Sequence, residues 1–219
     1  MTTFSGSPRV VRGGIVLVDP ETGVVQRVIV LQYNPDTLTR TLQVKGAAAE
    51  AGDRLEATRL IGPPGETIKV DAEIDATDQL EFPDRHADTV ELGIHPQLAA
   101  LETIVYPSSA QMQTNHSLAA AGVLEIVPMQ APLALFVWSR NRIVPVHLTE
   151  FSITEEAFDP NLNPVRAKVS LGMRVLTIND VNFGTKAGSI YMAYFQRKEQ
   201  LAAKTPEGTL GALGVTRIL

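Results

Sequence analysis

Residues 158–167, FDPNLNPVRA, lie between two strand-like runs and contain two prolines, Pro160 and Pro164. A proline has no backbone N–H, holds φ at about −65° and keeps the residue before it out of helix. Asp159 and Asn163 precede the prolines, and such short polar side chains bond nearby backbone in tight turns. The segment therefore predicts a rigid corner between two strands, starting at Phe158. A chain whose most distinctive residues form a corner favours a role in assembly over a role in catalysis.

Strand patterns dominate the rest of the chain. Residues 9–18 and 24–32 are rich in Val and Ile and flank a short Pro/Gly loop, which predicts a hairpin. Residues 68–75 alternate between apolar and charged side chains, as in an antiparallel strand with one solvated face. Further strands are predicted at residues 38–44, 133–139, 143–153 and 166–178.

Helices are fewer. Apolar residues about three apart predict a helix over residues 96–105, and residues 188–204 form an amphipathic pattern. Residues 45–57 and 107–131 are predicted to be loops. The predicted fold is mainly β (α+β): a barrel of two packed antiparallel sheets with a flanking helix. We expect a domain at residues 1–204 and an extended arm at residues 205–219.

Composition excludes several classes of function. The 219-residue chain has a formal net charge of −5, which argues against nucleic acid as a partner. It has no cysteine, so disulfides and thiolate metal sites are absent. The sequence shows neither a signal-peptide pattern nor a long apolar run, so we expect cytoplasmic synthesis and assembly without membrane insertion.

No catalytic constellation is evident. Acidic residues 71, 73, 75, 78 and 81 suggest calcium, but the EF-hand glycine position holds Ala76, and a solvated strand face explains them better. The four histidines lack metal-ligand spacing. Trp138 is expected in the core with Phe136, although an interface role stays open. The same choice applies to the aromatic residues of the last predicted helix. We predict a non-enzymatic protein without a cofactor or metal.

A series of short motifs occurs in one order along the chain. It resembles the N-terminal tube-like domain of the tube-initiator proteins of contractile injection systems, which are phage-tail-like particles of bacteria. The resemblance covers roughly residues 14–203. The motifs are QYNP at 32–35, GPPGETI at 62–68, DATDQLE at 75–81, GIHPQLAALE at 93–102, FVW at 136–138, RIVPV at 142–146, ITE at 153–155 and FDPNLNP at 158–164.

The resemblance implies a β-barrel related to tail-tube and Hcp-type subunits, assembled as a homo-hexameric ring at the baseplate. Such a ring joins a VgrG-like spike hub to the inner tube and nucleates tube assembly, in a particle that is either released or retained. Many relatives carry a C-terminal LysM-type module that helps to tie the hub to the surrounding baseplate wedges, and we expect this chain either to lack that module or to rely on a different contact. The residues expected to shape turns or subunit interfaces are Tyr33, Asn34, Pro35, Gly62, Pro63, Pro64, Gly65, Phe158, Asp159, Pro160, Asn163 and Pro164.

Three other readings stay open. Within the same family, the chain could be the repeating inner-tube subunit instead of the initiator ring. Outside it, a β-sandwich that binds carbohydrate or cell wall would need an exposed aromatic platform. A metal-dependent hydrolase has only the acidic strand in its favour. In the ring reading, the hairpin over residues 10–32 is expected to extend the sheet of a neighbouring subunit, because unpaired strand edges bind other strands.

Overall fold

A computed structural model describes residues 11–46, 59–122 and 131–218. Parts of three predicted segments therefore lie outside the described residues: residues 47–57 of the loop at 45–57, residues 123–130 of the loop at 107–131, and residues 9–10 of the first strand. The described chain contains seven strands and five α-helices, so the mainly β prediction is confirmed. The strands are β1 Gly14–Val18, β2 Val25–Val30, β3 Leu38–Gln43, β4 Gly65–Asp75, β5 Leu133–Ser139, β6 Arg142–Phe158 and β7 Pro164–Val175.

All seven strands belong to one antiparallel sheet, in the order β2-β1-β5-β6-β7-β4-β3. The expected barrel of two packed sheets is not confirmed, because within the described residues the sheet is open, with β2 and β3 at its edges. A single sheet forms in place of two because of the 17-residue strand β6, whose first part pairs with β5 and whose remainder pairs with β7. This long strand thus joins β2, β1 and β5 on one side to β7, β4 and β3 on the other in a single sheet.

The sheet curves around one main core. That core contains side chains from all seven strands, including partly buried Ile29 of β2 and Leu38 of β3. Gln32, just after edge strand β2, reaches the far end of β4: its side-chain Nε2 donates to the Asp75 carbonyl at 2.6 Å, and its Oε1 accepts from the Asp75 N–H at 3.0 Å. One side-chain amide therefore binds the backbone of β4 as a neighbouring strand would.

The alternation in β4 is confirmed: Ile68, Val70, Ala72 and Ile74 are buried, whereas the charged residues between them are exposed. Strand β5 is buried on both faces, with Ala134 and Phe136 in the main core and Leu133 and Leu135 in a second cluster. Burial on both faces explains why its sequence is an uninterrupted apolar run. Trp138 is partly buried against the main core and stacks on Phe136, with ring centroids 5.9 Å apart.

The helices are α1 Thr77–Leu80, α2 Ala87–Leu92, α3 His95–Glu102, α4 Ser109–Ala120 and α5 Lys186–Ala202, with 3-10 turns at Pro83–Arg85 and Leu210–Leu213. The two predicted helices correspond to α3 and α5. The predicted loop at 107–131 was wrong over α4, which Ser108 begins by accepting a hydrogen bond from the Gln111 N–H. Helix α4 has no apolar face and no buried residue, so hydrophobic periodicity could not reveal it. After α5, residues 203–218 are exposed, and the extended arm stays a prediction.

Candidate interaction surfaces

The β6–β7 hairpin is closed by a three-residue loop whose geometry comes from Asp159. Its carbonyl accepts from the Leu162 N–H, and its N–H donates to the Asn163 carbonyl. Its carboxylate accepts from the N–H groups of Asn161 and Asn163, both at 2.8 Å, and from Asn163 Nδ2 at 2.9 Å. The hydrogen bonds from Asn163 and Asn161 hold the pKa of Asp159 below its usual value. The predicted tight corner is therefore present, and its aspartate is anionic near neutral pH.

The same hairpin is joined to helix α2. Asn163 Nδ2 also donates to the Glu91 carbonyl at 3.0 Å, and the Ile94 N–H donates to the Pro164 carbonyl at 2.9 Å. Gly93 lies between these two bonds, and a Cβ atom built there would be 2.3 Å from the Pro164 carbonyl oxygen. Pro164 is fully buried, whereas 52% of Phe158 is exposed. The hairpin tip and the end of α2 thus form one continuous surface.

The turn after β2 ties the first hairpin together at its open end. Asn34 Oδ1 accepts from the Gly13 N–H at 2.9 Å, and its Nδ2 donates to the Val11 carbonyl at 2.8 Å. Tyr33 beside it is 42% exposed, and Pro35 follows. Both bonds return to the residues that precede β1, so this turn closes the open end of the first hairpin.

The turn at residues 62–65 lies at the other end of the sheet. Gly65 begins β4, and Gly62 is close to the side chain of Asn179, whose Nδ2 would be 2.9 Å from a Cβ atom at Gly62. Asp75, at the far end of β4, contacts both Gln32 and Arg166. An 11-residue strand spans about 33 Å at about 3.3 Å per residue. The structure therefore brings residues 33–35 and 158–164 to one end of the sheet and leaves residues 62–65 at the opposite end.

Edge strand β2 carries exposed apolar side chains, and one side of its backbone pairs with no other strand of the described residues. Val25, Val28 and Val30 are each more than half exposed. The Leu31 N–H donates to the Gly13 carbonyl, and in the same register Ile29 faces Ile15 as a hydrogen-bonded pair. Because such pairs alternate along an antiparallel ladder, the N–H groups of Val28 and Val30 point away from β1. Proteins usually protect an edge of this kind with charge, proline or a covering element.

A buried ionic cluster that the sequence interpretation missed connects α5 to the sheet. Glu66 is 3% exposed, and its carboxylate accepts from Arg40 Nε at 2.7 Å, Lys198 Nζ at 2.9 Å and the Tyr194 hydroxyl at 3.0 Å. Burial by itself raises the pKa of Glu66, but the hydrogen bonds and charges of Lys198 and Arg40 lower it overall. Burial and the Glu66 charge raise the pKa of Tyr194, which remains a phenol. The sequence offered one sign of this burial: Glu66 lies two and four positions before buried Ile68 and Val70, so on a strand its side chain faces the same side as theirs.

The acidic strand has a structural explanation. Asp75 binds Arg166 at 2.7 Å, and Asp71 accepts from the Ser170 hydroxyl at 2.5 Å. Across residues 11–46, 59–122 and 131–218, no three histidine or carboxylate side chains are grouped as a metal site would require. Of the last helix's aromatic residues, Tyr191 and Tyr194 are buried, whereas Phe195 is 42% exposed and does not pack fully as expected. No helix in the described part of the chain is long and apolar enough to cross a membrane.

No protein-family model matches the chain, and no curated protein is significantly similar to it. The fold defines a mainly β protein with one open antiparallel sheet, in which β2 and β3 are the edge strands of the described residues.

Proposed function

We propose that this chain is a structural, non-enzymatic subunit of a contractile injection system. In this role, six copies form a baseplate ring that joins the spike hub to the inner tube and nucleates tube assembly. The observation that carries the proposal is the pair of edge strands, β2 and β3, neither of which has a second strand partner within the described residues. The ordered motifs that resemble tube-initiator proteins supply the particle in which such a ring would act.

The two edges favour a ring over a simple two-fold dimer. Strand β2 of one copy would pair with β3 of the next, a head-to-tail contact that uses two different surfaces. Such contacts close into a ring when the rotation between neighbouring subunits is a whole-number fraction of a full turn. In a closed ring, every edge strand is paired with a strand of a neighbour. Exposed Val28 and Val30 on β2 and Leu42 on β3 would then be buried between subunits.

We also propose that the sheets of the assembled subunits form a tube-type barrel. The sheet already curves far enough for Gln32, beside one edge strand, to bind Asp75 in the strand next to the other edge. The single-chain sheet is open, so the proposal places the remaining pairing between subunits instead of within one chain. The ring, on this account, is the closed β structure.

Electron microscopy of native particles tests the proposal. The chain would carry an epitope tag in the cells that produce it, and gold-labelled antibody would locate the tag on sedimented high-mass particles. Label at one end of rod-shaped particles supports the initiator ring. Label along the whole rod assigns the chain to the repeating tube instead. Rods that form without the chain, while the chain stays in the light supernatant, would overturn both assembly roles.

A further inference from the structure

A second surface lies away from both sheet edges, at the tip of the β6–β7 hairpin. The two elements joined there carry four exposed apolar side chains: Phe158 at 52% and Leu162 at 77% exposure on the hairpin, and Val90 at 44% and Leu92 at 43% on α2. The bonds from Asn163 to the Glu91 carbonyl and from the Ile94 N–H to the Pro164 carbonyl hold the hairpin and α2 together. We call these four side chains and their surroundings the tip surface. Because β6 and β7 are inner strands, pairing at the sheet edges would leave it uncovered.

Leu162 has a conformation that its side chain disfavours. Its φ is +66°, the left-handed region, and it occupies the loop position where glycine or asparagine is usual. A left-handed residue other than glycine costs about 1–2 kcal/mol. With 77% of the side chain exposed, packing within this chain offsets little of that cost. A strained and exposed leucine is typical of a residue kept for contact with another molecule.

The segment that leads into α2 and forms its first turns is strongly negative. Residues 78–91 contain five carboxylates and one arginine, Arg85, which lies over the Phe82 ring. The nearest cations of β7 are engaged elsewhere: Arg166 binds Asp75 at 2.7 Å and Lys168 binds Glu156 at 2.9 Å. The five carboxylates are those of Asp78, Glu81, Asp84, Asp88 and Glu91.

We propose that the tip surface docks a different protein, one that offers an apolar pocket bordered by lysine or arginine side chains. Leu162 would enter the pocket, and the carboxylates of Asp88, Glu91 and Asp159 would face the cationic rim. A second copy of this chain fits poorly, because two tip surfaces would bring like charges together. The inference goes beyond the ring: sheet edges bind copies of this chain, whereas the tip surface binds another component. It does not depend on the hexamer being correct.

Site-specific photo-crosslinking in the producing cells tests the proposal. The full chain would carry p-benzoylphenylalanine in place of Leu162, with the same residue at Leu213 as the control, since Leu213 is 76% exposed. The expected result is one product with a different protein, mapped by mass spectrometry to an apolar segment flanked by Lys or Arg. Asp88→Lys with Glu91→Lys should lower its yield about tenfold, because like charges would then face each other. Glu21→Lys with Asp36→Lys, two exposed carboxylates outside the tip surface, should leave the yield unchanged.

Each other outcome would overturn the proposal. A product that joins two copies of this chain would assign the tip surface to self-association, without affecting the sheet-edge ring. A partner segment without basic residues, or a yield that survives the reversal at residues 88 and 91, would remove the electrostatic argument. A yield no higher than that from position 213 would show that nothing docks there. Unfolding midpoints of both charge variants within about 3 °C of the parent establish that each is folded.

Discussion

Gly93→Ala is expected to be among the most destabilising single-methyl additions to this chain. Gly93 has φ 59° and ψ −136°, a region that residues with a Cβ atom rarely adopt, and this strain costs about 1–3 kcal/mol. The added Cβ would also lie 2.3 Å from the Pro164 carbonyl oxygen, so that backbone must move. Movement breaks the bond from Ile94 to Pro164, which costs about 1–1.5 kcal/mol more. The expected total is about 2–4.5 kcal/mol.

Urea unfolding followed by the fluorescence of Trp138, the single tryptophan, measures this loss, with circular dichroism as a second probe. Two glycines serve as controls. Gly122→Ala has the positive φ without a neighbour within 4 Å among the described residues, so about 1 kcal/mol is expected from strain alone. Gly184→Ala has neither feature and should change stability by no more than about 0.5 kcal/mol. A Gly93→Ala loss no larger than that of Gly122→Ala would refute the steric argument and the junction between α2 and the hairpin.

Three further predictions test the sheet edge, the buried cluster and the first hairpin. Val28→Pro removes an outward N–H without breaking the pairing of β2 with β1, so the free energy of unfolding of the monomer should stay within about 1 kcal/mol of the parent. Assemblies that sediment should nevertheless disappear, whereas Val28→Thr should retain them. Equal sedimentation of both variants would contradict the edge contact. Glu66→Gln leaves Arg40 and Lys198 without a buried counter-charge and should cost about 3 kcal/mol at pH 7. Because the folded-state pKa of Glu66 is lowered, the stability that its charge contributes is complete above its ordinary pKa of 4.5 and is lost as pH falls through the lowered value. The difference in unfolding free energy between parent and variant should therefore narrow at pH 3. A difference that stays constant would show that the effect of Glu66 is not ionic. Asn34→Ala should lower the free energy of unfolding by about 1 kcal/mol in urea titrations, and an unchanged midpoint would show that its two backbone bonds are dispensable.

Local chemistry made the turns predictable. Asp159, Asn163 and their prolines act within a few residues of one another, and Asn34 likewise follows the strand that it closes. The alternation of β4 also follows from residue order, because successive side chains on a strand face opposite sides. Helix α4 was not predictable in this way, since a helix that buries nothing has no periodic apolar face to detect.

The candidate surfaces depended on contacts between distant residues. Glu66 contacts Tyr194 and Lys198, which are 128 and 132 positions away along the chain. The one local sign of its burial is its spacing of two residues from Ile68, which places both side chains on the same face of β4. The acidic residues of α2 look like an ordinary charged surface in the sequence, and only the Asn163–Glu91 bond places α2 beside the hairpin loop. Proximity of this kind follows from how the chain folds back, which short-range patterns do not encode.

The sequence by itself determined the strand-rich class, the β1–β2 hairpin and the tight corner at residues 158–164, because turn residues and two-residue periodicity act over short distances. Tertiary structure alone decided that the strands form one open sheet, that β2 and β3 are its edges and that the hairpin tip joins α2. Strand order and register arise from the pairing of long strands such as β6 with two neighbours at once, and that choice minimises the free energy of the whole chain, not of any segment.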